Sequence, residues 1–351
     1  MGFKRLRKKM VEEGIDCGIF SGFSSDPNIK YFLGFEFKNC LLFVPKKGNS
    51  FLLAPEMEIP YLRTKTDIKI RSIKKNVSES LEEIAKGKNV FGINKRSMTV
   101  KEFEWLKKDF KQKKYKDISS IMESIRAVKN EDEIKKIRKS CSIAGKILQE
   151  VLENIRDYKS EDEVKRYLLR RTADFGCEIA FEPLVASGKN SSYIHYESCD
   201  ERIKKGFFYI DFGVDYKGYK SDITRTIYLG VLPEKKKEIY NRLLDVQKEA
   251  IRMIKPGIKV CEIDKFVRKK LGDLNKNFTH ALGHGIGINV HEQPIIRGAN
   301  SEIIREGMVF TIEPGVYFPG KFGIRIEDTL VVTKKGSEIL TKTDKELKVI
   351  E

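Results

Sequence analysis

The sequence lacks the features that mark exported, membrane-spanning or disulfide-linked proteins. None of its apolar runs approaches the roughly 20 residues needed to cross a bilayer. The N-terminal segment MGFKRLRKKMVEEG is basic, but it has no apolar core of signal-peptide length and has Leu6 where a myristoylation pattern requires Ser or Thr. The six cysteines form no C-x-x-C pair, which is typical of reduced thiols in a cytoplasm. We therefore expect a soluble, cytoplasmic protein without a membrane segment.

The chain has an excess of basic residues, with 68 Lys and Arg against 51 Asp and Glu, and a formal net charge of +17. Such an excess raises the possibility of nucleic-acid binding. The basic runs KRLRKK, KKDFKQKK and EKKKE, however, are interleaved with acidic or apolar residues at helical spacing. This pattern is typical of solvated helix faces. We therefore interpret the charge as a surface property and expect no nucleic-acid partner.

Histidine is absent from the first 194 residues, so chemistry that uses an imidazole must lie in the second part of the chain. The first part, which we place at residues 1–124, alternates short apolar strands with amphipathic helical segments. This pattern predicts a compact α/β domain. The predicted strands are CGIF (17–20), CLLFVP (40–45), SFLLAP (50–55), IKIRSI (68–73) and NVFGI (89–93).

Residues 125–351 have the pattern of an α+β domain. Apolar residues at 134, 137, 143, 147 and 151 keep one face of a long helix apolar, and a second helix is predicted around DEVKRYLLRRTADFG. Beyond residue 178 the chain is rich in predicted strands, apart from two helical stretches near 234–254 and 260–272. Two helices followed by strands thus occur twice, which indicates a weak internal repeat.

Two aspartates flank a predicted hairpin in GFFYIDFGVDYKGYKSDITRTIYLG. Asp211 interrupts an apolar run, where an unpaired carboxylate is costly to bury. A type I turn over residues 215–218 would place Asp211 and Asp222, each four residues from the turn, opposite each other across the strands. Their charges would repel, so a bound divalent cation would convert the repulsion into a binding site. Either aspartate alone could instead cap the turn or pair with Arg225.

A second predicted hairpin, in VFTIEPGVYFPGKFGIRIEDTLVV, carries two glutamates. Pro319 and Gly320 suit a type II turn. Glu313 and Glu327 lie six residues before Pro319 and seven residues after Gly320, so they face each other to within one residue. The mismatch predicts either a bulge or a looser turn. A single Glu in such a strand is usually exposed at an edge, but this pair mirrors the two aspartates.

Three of the four histidines occur in the glycine-rich segment THALGHGIGINVHEQP. His280 and His284 are four residues apart, but the glycines around them argue against a continuous zinc-binding helix. We predict a loop or the start of a strand, where glycines let the backbone approach a site and His284 is a single imidazole ligand. His291 could reach the same cleft from the next strand.

Four carboxylates and one imidazole would form an oxygen-rich site that can bridge two metal ions. Manganese, cobalt, iron or zinc would fit such a set of ligands. Hydrolysis is the chemistry that a two-metal site of this kind predicts.

The motifs YIDFG, SDITRT, GHGIG with a following HE, TIEPGVY and GIRIEDT resemble those of the pita-bread metallopeptidases, which include prolidase, aminopeptidase P and methionine aminopeptidase. The resemblance implies a pita-bread catalytic domain, a smaller creatinase-type α/β domain before it, and two divalent metal ions per chain. It assigns one metal to Asp211, bridging positions to Asp222 and Glu327, and the other metal to His284 and Glu313.

The resemblance also implies roles for residues around the metals. The segment FEPLVASGKNSSYIHYES resembles a family segment that ends in a substrate-facing histidine, here His195, and His291 matches the second such histidine. Both would stabilise the tetrahedral intermediate and move protons. Arg325 is similar to an arginine that holds the substrate near its proline, and His280 would orient the site from behind the ligands.

The resemblance implies an Xaa-Pro dipeptidase, because creatinase lacks the metal ligands and methionine aminopeptidases generally lack the N-terminal domain. An Xaa-Pro aminopeptidase acting on longer peptides is the alternative within the same chemistry, and a non-catalytic binding protein on the same scaffold is the alternative from another class. A homodimer and a short peptide with proline in second position are implied as partners. The sequence departs from its relatives at Ile194 and after Tyr196, where prolines usually flank the histidine. The resemblance therefore does not predict the conformation of this loop or its effect on substrate preference.

Overall fold

Residues 2–73, 81 and 84–351 are described by the computed structural model, and the chain divides into two units, Met1–Ile125 and Arg126–Glu351. The helices of the described residues are α1 (Gly2–Glu12), α2 (Pro27–Leu33), α3 (Ile59–Lys65), α4 (Val100–Asp109), α5 (Ser119–Ala127), α6 (Glu131–Glu153), α7 (Glu161–Asp174), α8 (Glu234–Met253) and α9 (Val260–Leu271). The strands are β1 (Cys17–Ser21), β2 (Leu41–Pro45), β3 (Phe51–Ala54), β4 (Lys69–Ser72), β5 (Val90–Ile93), β6 (Lys114–Asp117), β7 (Glu178–Ile179), β8 (Leu184–Ser187), β9 (Gly206–Phe212), β10 (Val214–Tyr216), β11 (Tyr219–Lys220), β12 (Ile223–Leu229), β13 (Gly283–Gly285), β14 (Glu292–Ile296), β15 (Val309–Ile312), β16 (Gly315–Phe318), β17 (Phe322–Arg325), β18 (Asp328–Val332), β19 (Ser337–Ile339) and β20 (Val349–Ile350).

The first unit contains a mixed sheet in the order β4-β3-β2-β1-β5-β6, in which β1 is antiparallel to β2 and parallel to β5. All five strands predicted from the sequence are confirmed. Strand β6 was missed, because its sequence KYKD is polar and mostly exposed and so lacks an apolar pattern. Leu6 and Met10 of α1 pack into the core on one face of the sheet, as the amphipathic pattern of this helix predicts.

The second unit has two pairs of helices, and each pair packs on strands. Helices α6 and α7 pack on β8, β9 and β12 through an apolar cluster that includes Ile147, Leu168 and Phe208. Helices α8 and α9 pack on β15 and β18 through a second cluster that includes Leu244 and Val267. The α+β pattern and the repeated order of helices and strands are therefore confirmed.

The long helix α6 begins at a well-defined cap. The Asn130 side chain accepts hydrogen bonds from the backbone N–H groups of Asp132 and Glu133, and the Glu133 carboxylate accepts one from the backbone of Asn130. Three acidic residues in the first turn also stabilise the positive end of the helix dipole. This helix begins five residues after the start of the second unit at Arg126.

The described helices include none that is long and apolar enough to cross a membrane. All six cysteines lie within the described residues and are free thiols. Burial raises the pKa of both Cys17 and Cys40 to about 12, so these two side chains act as small apolar groups.

Candidate metal centre and active site

Asp211 and Asp222 project from one face of the ladder formed by β9 and β12, but they are not directly opposite each other. Asp211 pairs with Thr224, and Asp222 lies two residues before Thr224. Because side chains alternate between faces along a strand, the two aspartates are diagonal neighbours on the same face. The predicted direct opposition is therefore wrong by two residues, although both carboxylates reach the same site.

The turn of this hairpin explains the shift. Lys217 and Gly218 form a two-residue loop with φ angles of 51° and 84°, in place of the predicted type I turn over residues 215–218. Asp215 supports this loop, because its carboxylate accepts hydrogen bonds from the Gly218 backbone N–H at 2.6 Å and from Lys220 Nζ at 2.9 Å. Asp215 is thus a structural residue of the turn.

Glu313 and Glu327 occupy equivalent positions on two neighbouring chain segments, between the β15–β18 ladder and the β16–β17 hairpin. Both ladders keep the same register. The hairpin loop consists of residues 319–321 and is centred on Gly320, which has a φ of 68°. Each glutamate is therefore seven residues from Gly320, and a looser turn rather than a bulge accounts for the predicted mismatch.

His284 lies in the middle of β13, between β14 and β15, so the prediction of a strand rather than a helix is confirmed. A Cβ atom on Gly283 would lie 2.0 Å from the carbonyl oxygen of Thr311, so only glycine lets these strands approach here. The His284 Nε2 atom is 3.5 Å from Asp222 Oδ2 and 3.4 Å from Glu313 Oε1. The imidazole therefore points into the group of carboxylates.

The residues of this group fit a divalent cation. Side-chain atoms of Asp222, His284 and Glu327 that can bind a metal lie within 4.8 Å of one another. In the described part of the chain, Asp211 Oδ1, Asp222 Oδ1 and Glu327 Oε1 are buried and have no hydrogen-bond partner. Buried carboxylate oxygens need a donor or a cation, and an oxygen-rich set with one imidazole suits manganese, cobalt, iron or zinc.

The electrostatics of the site lead to the same conclusion. Burial raises the pKa of Asp222 well above its ordinary value, and the charges of Glu327 and Asp211 raise it further. Burial also raises the pKa of Glu327, with a contribution from Glu313, and raises the pKa of Glu313 to about 8. A divalent cation would favour the charged forms of these carboxylates and offset their repulsion. Burial lowers the pKa of His284, which favours the neutral imidazole that a metal binds.

Arg325 is 3% exposed and is bonded within the site. Its guanidinium donates to Asp211 Oδ2 at 2.6 Å, to Thr224 Oγ1 at 3.2 Å and to the Tyr317 hydroxyl at 2.8 Å. Thr224 in turn donates to Glu327 Oε2 at 2.7 Å. The sequence reasoning missed Thr224 and Tyr317. The period-two spacing of Thr224 from the second aspartate could have identified it, whereas Tyr317 has no such signal.

All eight site residues predicted from the sequence line one cavity of about 500 Å³. The ring of His291, an exposed residue, lies 4.4 Å from the ring of His284. His280 Nε2 is 3.2 Å from the Tyr317 hydroxyl, and burial lowers the pKa of His280 to about 4. His195 also lines the cavity but is exposed.

The segment that leads to His195 is held by Glu161, a fully buried carboxylate that was not predicted. Glu161 accepts hydrogen bonds from the Ser187 backbone N–H and hydroxyl, both at 2.7 Å, and from Asn190 Nδ2 at 3.2 Å. Asn190 also donates to the Tyr196 hydroxyl at 2.8 Å. A network of side-chain hydrogen bonds therefore orders this segment.

The fold and the site define a metal-dependent hydrolase, and comparison with known proteins identifies its family. The chain belongs to metallopeptidase family M24, which it matches over residues 135–334, and residues 3–128 match the creatinase/prolidase N-terminal domain. It is therefore a metallopeptidase, and the resemblance inferred from its motifs is confirmed.

Individual relatives are similar over nearly the whole chain. An Xaa-Pro dipeptidase of Pyrococcus horikoshii is 36% identical over an alignment 351 residues long, in which 98% of this chain and 97% of the relative are covered. The crystal structure of the prolidase from Pyrococcus horikoshii OT3 has a TM-score of 0.90 at 35% identity and covers 99% of both chains. The X-Pro aminopeptidase from Thermotoga maritima MSB8 has a TM-score of 0.88 at 29% identity, with 96% of this chain and 98% of that chain covered.

Proposed function

We propose that this protein is an Xaa-Pro dipeptidase that hydrolyses the peptide bond before proline with two divalent metal ions. One observation carries the proposal. Three buried carboxylate oxygens, from Asp211, Asp222 and Glu327, have no hydrogen-bond partner among the described residues and converge on the cavity that also contains His284 and Glu313. The choice of a dipeptidase is supported by the dipeptidase and prolidase relatives, which match the full length of the chain.

We assign the metal ligands by their positions in the family motifs. One ion would be held by Asp211, the other by His284 and Glu313, and both would be bridged by Asp222 and Glu327. Manganese or cobalt is the proposed metal, with zinc or iron as alternatives. When bound, the ions supply Lewis acidity at the scissile carbonyl and a nucleophile from water at neutral pH.

The histidines that are not ligands are assigned to the substrate. Desolvation of the ring lowers the pKa of His291, which favours the neutral imidazole. A neutral imidazole can accept a proton and later donate one to the leaving amine. His195 would stabilise charge on the oxygen of the tetrahedral intermediate. Arg325 holds Asp211 in place. The second role proposed for Arg325 is contact with the substrate near the proline of the substrate.

The remaining wall of the cavity suits a small apolar substrate. Its apolar side chains come from several separate segments, namely Phe181, Leu184, Ile194, Val290 and Ile295. Such a surface can pack against a proline ring and exclude water from the polar groups at the ligands. We also propose a homodimer, as the family resemblance implies, which sedimentation of the purified protein would test. A cytoplasmic location is proposed from the scattered free cysteines.

Peptide length separates the two candidate activities. Metal-free protein would be supplied in turn with Mn²⁺, Co²⁺, Zn²⁺ or Fe²⁺ and assayed on Ala-Pro, Ala-Pro-Ala and the control Ala-Ala. We expect metal-dependent cleavage of Ala-Pro, little cleavage of Ala-Ala and slower cleavage of the tripeptide. Faster cleavage of the tripeptide would favour an Xaa-Pro aminopeptidase, which the likeness to the Thermotoga maritima structure keeps as the second candidate. If no ion supports cleavage and the protein binds RNA tightly at physiological salt, the enzyme proposal fails.

A further inference from the structure

The turn that carries His291 connects β13 to β14 and has few backbone bonds of its own. The pairing of β13 with β14 shifts between His284 and Gly285, but Gly285 still pairs with Glu292, so the turn consists of residues 286–291. Within the turn, the Gly287 N–H donates to the Asn289 carbonyl at 3.0 Å, and the Gly287 carbonyl accepts from the Lys220 N–H at 2.8 Å. The Ile286 N–H also donates to the Val309 carbonyl at 3.1 Å, so these bonds hold the first half of the turn, and His291 lies at its other end, directly before Glu292.

The side chain of Glu292 closes this turn. Its Oε1 atom accepts a hydrogen bond from the Asn289 backbone N–H at 3.0 Å and a second one from Arg126, and its Oε2 atom is 3.3 Å from Lys129 Nζ. The three charged side chains are almost fully buried, with exposed fractions of 5% for Glu292, 7% for Arg126 and 1% for Lys129. Such a carboxylate has one preferred position, because it would lose its partners if it moved.

The backbone beside the side chains of Arg126 and Lys129 is itself held in place. The Lys129 backbone N–H donates to the Gly307 carbonyl at 2.8 Å, and Val128 forms a bridge with Met308, the residue before β15. The turn approaches the cations so closely that a Cβ atom on Gly287 would lie 2.8 Å from Glu292 Oε2 and 3.0 Å from Lys129 Cε. The position of Glu292, and of the His291 backbone beside it, is therefore set from Arg126 and Lys129.

We propose that Glu292, held by Arg126 and Lys129, is a positioning residue that fixes the His291 imidazole beside the metal ligand His284. The inference rests on the proposed function, because it gives His291 a task in Xaa-Pro hydrolysis. The competing explanation is a buried ion cluster that contributes only to stability, and a coupling experiment separates the two.

The central variant is Glu292→Gln, which keeps the size of the side chain and an oxygen for the Asn289 N–H but removes the charge that Arg126 and Lys129 hold. We expect kcat on Ala-Pro to fall about 10–100-fold, with a smaller change in KM and unchanged metal content. In a His291→Ala background, the same substitution should have almost no further effect on kcat. Equal fold-losses in both backgrounds would show a purely structural role and overturn the proposal.

A second readout uses metal-free protein and needs no activity. The chain has four histidines, so imidazole NMR signals can be assigned by single substitutions. We expect Glu292→Gln to shift or broaden the His291 signal while the His280 signal, which reports the Tyr317 contact, stays in place. An unchanged His291 signal would contradict the proposal.

Two further variants guard the interpretation. Lys129→Met replaces Glu292→Gln if that variant does not fold. It leaves Glu292 and Arg126 as a pair of opposite charges, so we expect a smaller loss of kcat. This loss should also disappear in the His291→Ala background. Glu338→Gln is the control for the same substitution at another Arg–Glu ion pair, because it removes the carboxylate that pairs with Arg138, and it should leave kcat unchanged. If the wild-type protein cleaves no Xaa-Pro peptide, the proposed function fails. If it does cleave and Glu292→Gln keeps full kcat, only the positioning proposal fails.

Discussion

Arg325 donates a hydrogen bond to one carboxylate oxygen of Asp211 at 2.6 Å, while the other oxygen of Asp211 is buried without a partner in the described part of the chain. The same guanidinium also bonds Thr224 and Tyr317. Asp211 is thus held by a cation on one side and is free to bind a metal on the other. Arg325, which was predicted to contact substrate, therefore also orients the proposed metal ligand Asp211.

Replacing Arg325 tests which of these two roles dominates. Lysine keeps the charge but cannot form three bonds in the fork geometry of a guanidinium. We expect Arg325→Lys to lower metal content after dialysis and to lower kcat by about 10–100-fold, with a smaller change in KM. An increase in KM alone, at normal metal content, would instead indicate the substrate contact that the family resemblance implies.

The two aspartates of the first hairpin should respond differently to the same substitution. Asp222→Asn removes a proposed bridging carboxylate, so we expect metal content and kcat to fall together, with kcat lowered on the order of 100-fold or more. Asp215→Asn should change both only slightly, because an amide oxygen can still accept the Gly218 N–H in the turn. Metal analysis beside turnover separates the cases, and similar losses in both variants would contradict the assignment of Asp222.

The histidines should divide into ligand and substrate groups. His284→Ala is expected to lose bound metal and activity together, because the imidazole faces Asp222 and Glu313. His291→Ala and His195→Ala should keep near-normal metal content while kcat falls by about 10²–10⁴-fold, the range of a positioned acid or base. His280→Ala serves as a comparison for metal content and kcat, because His280 contacts Tyr317 and is not a proposed ligand. Loss of metal in His291→Ala with retention in His284→Ala would overturn the division.

Several candidate site residues could be predicted from sequence because they are anomalies in a local pattern, whereas His195 and Arg325 were assigned only from the resemblance to the family. Asp211 is a carboxylate in an apolar strand, Glu313 directly follows one, and His284 lies among glycines that close packing of strands requires. The period of two along a strand then fixed which face they share. The local pattern did not predict the length of the turn. A two-residue loop at Lys217 and Gly218 moved the partner of Asp211 from Asp222 to Thr224.

Long-range partners could not be predicted for a different reason. Arg126 and Glu292 are separated by 166 residues, and neither has a neighbour in sequence that indicates the other. Glu161 begins a helix, where an acidic residue is ordinary, and nothing local shows that it is buried under residues 187–190. Tertiary packing alone decides such contacts, so only the structure identifies the residues that support the predicted site.

The stability of the metal-free protein should fall as the pH rises from about 5 to 8. Burial raises the pKa of Glu313 to about 8, and the pKa values of Asp222 and Glu327 are shifted in the same direction. A carboxyl group with a raised folded-state pKa binds more protons in the folded than in the unfolded protein. Its contribution to stability is fully present below the unfolded value, about 4.3 for Glu, and is lost as the pH rises through the folded value.

Metal binding should remove this pH dependence, because the ions replace the protons that offset the repulsion among these carboxylates. Each proton involved contributes a slope of about 1.4 kcal/mol per pH unit, so the increase in Tm on adding Mn²⁺ to EDTA-treated protein should grow from pH 5 to pH 8. Thermal unfolding with and without Mn²⁺ at each pH measures this increment. In Glu313→Gln, which has no charge to neutralise at this position, the metal-free protein should lose less stability as the pH rises. An increment in Tm that does not vary with pH in the wild-type protein would show that these carboxylates do not form the metal site.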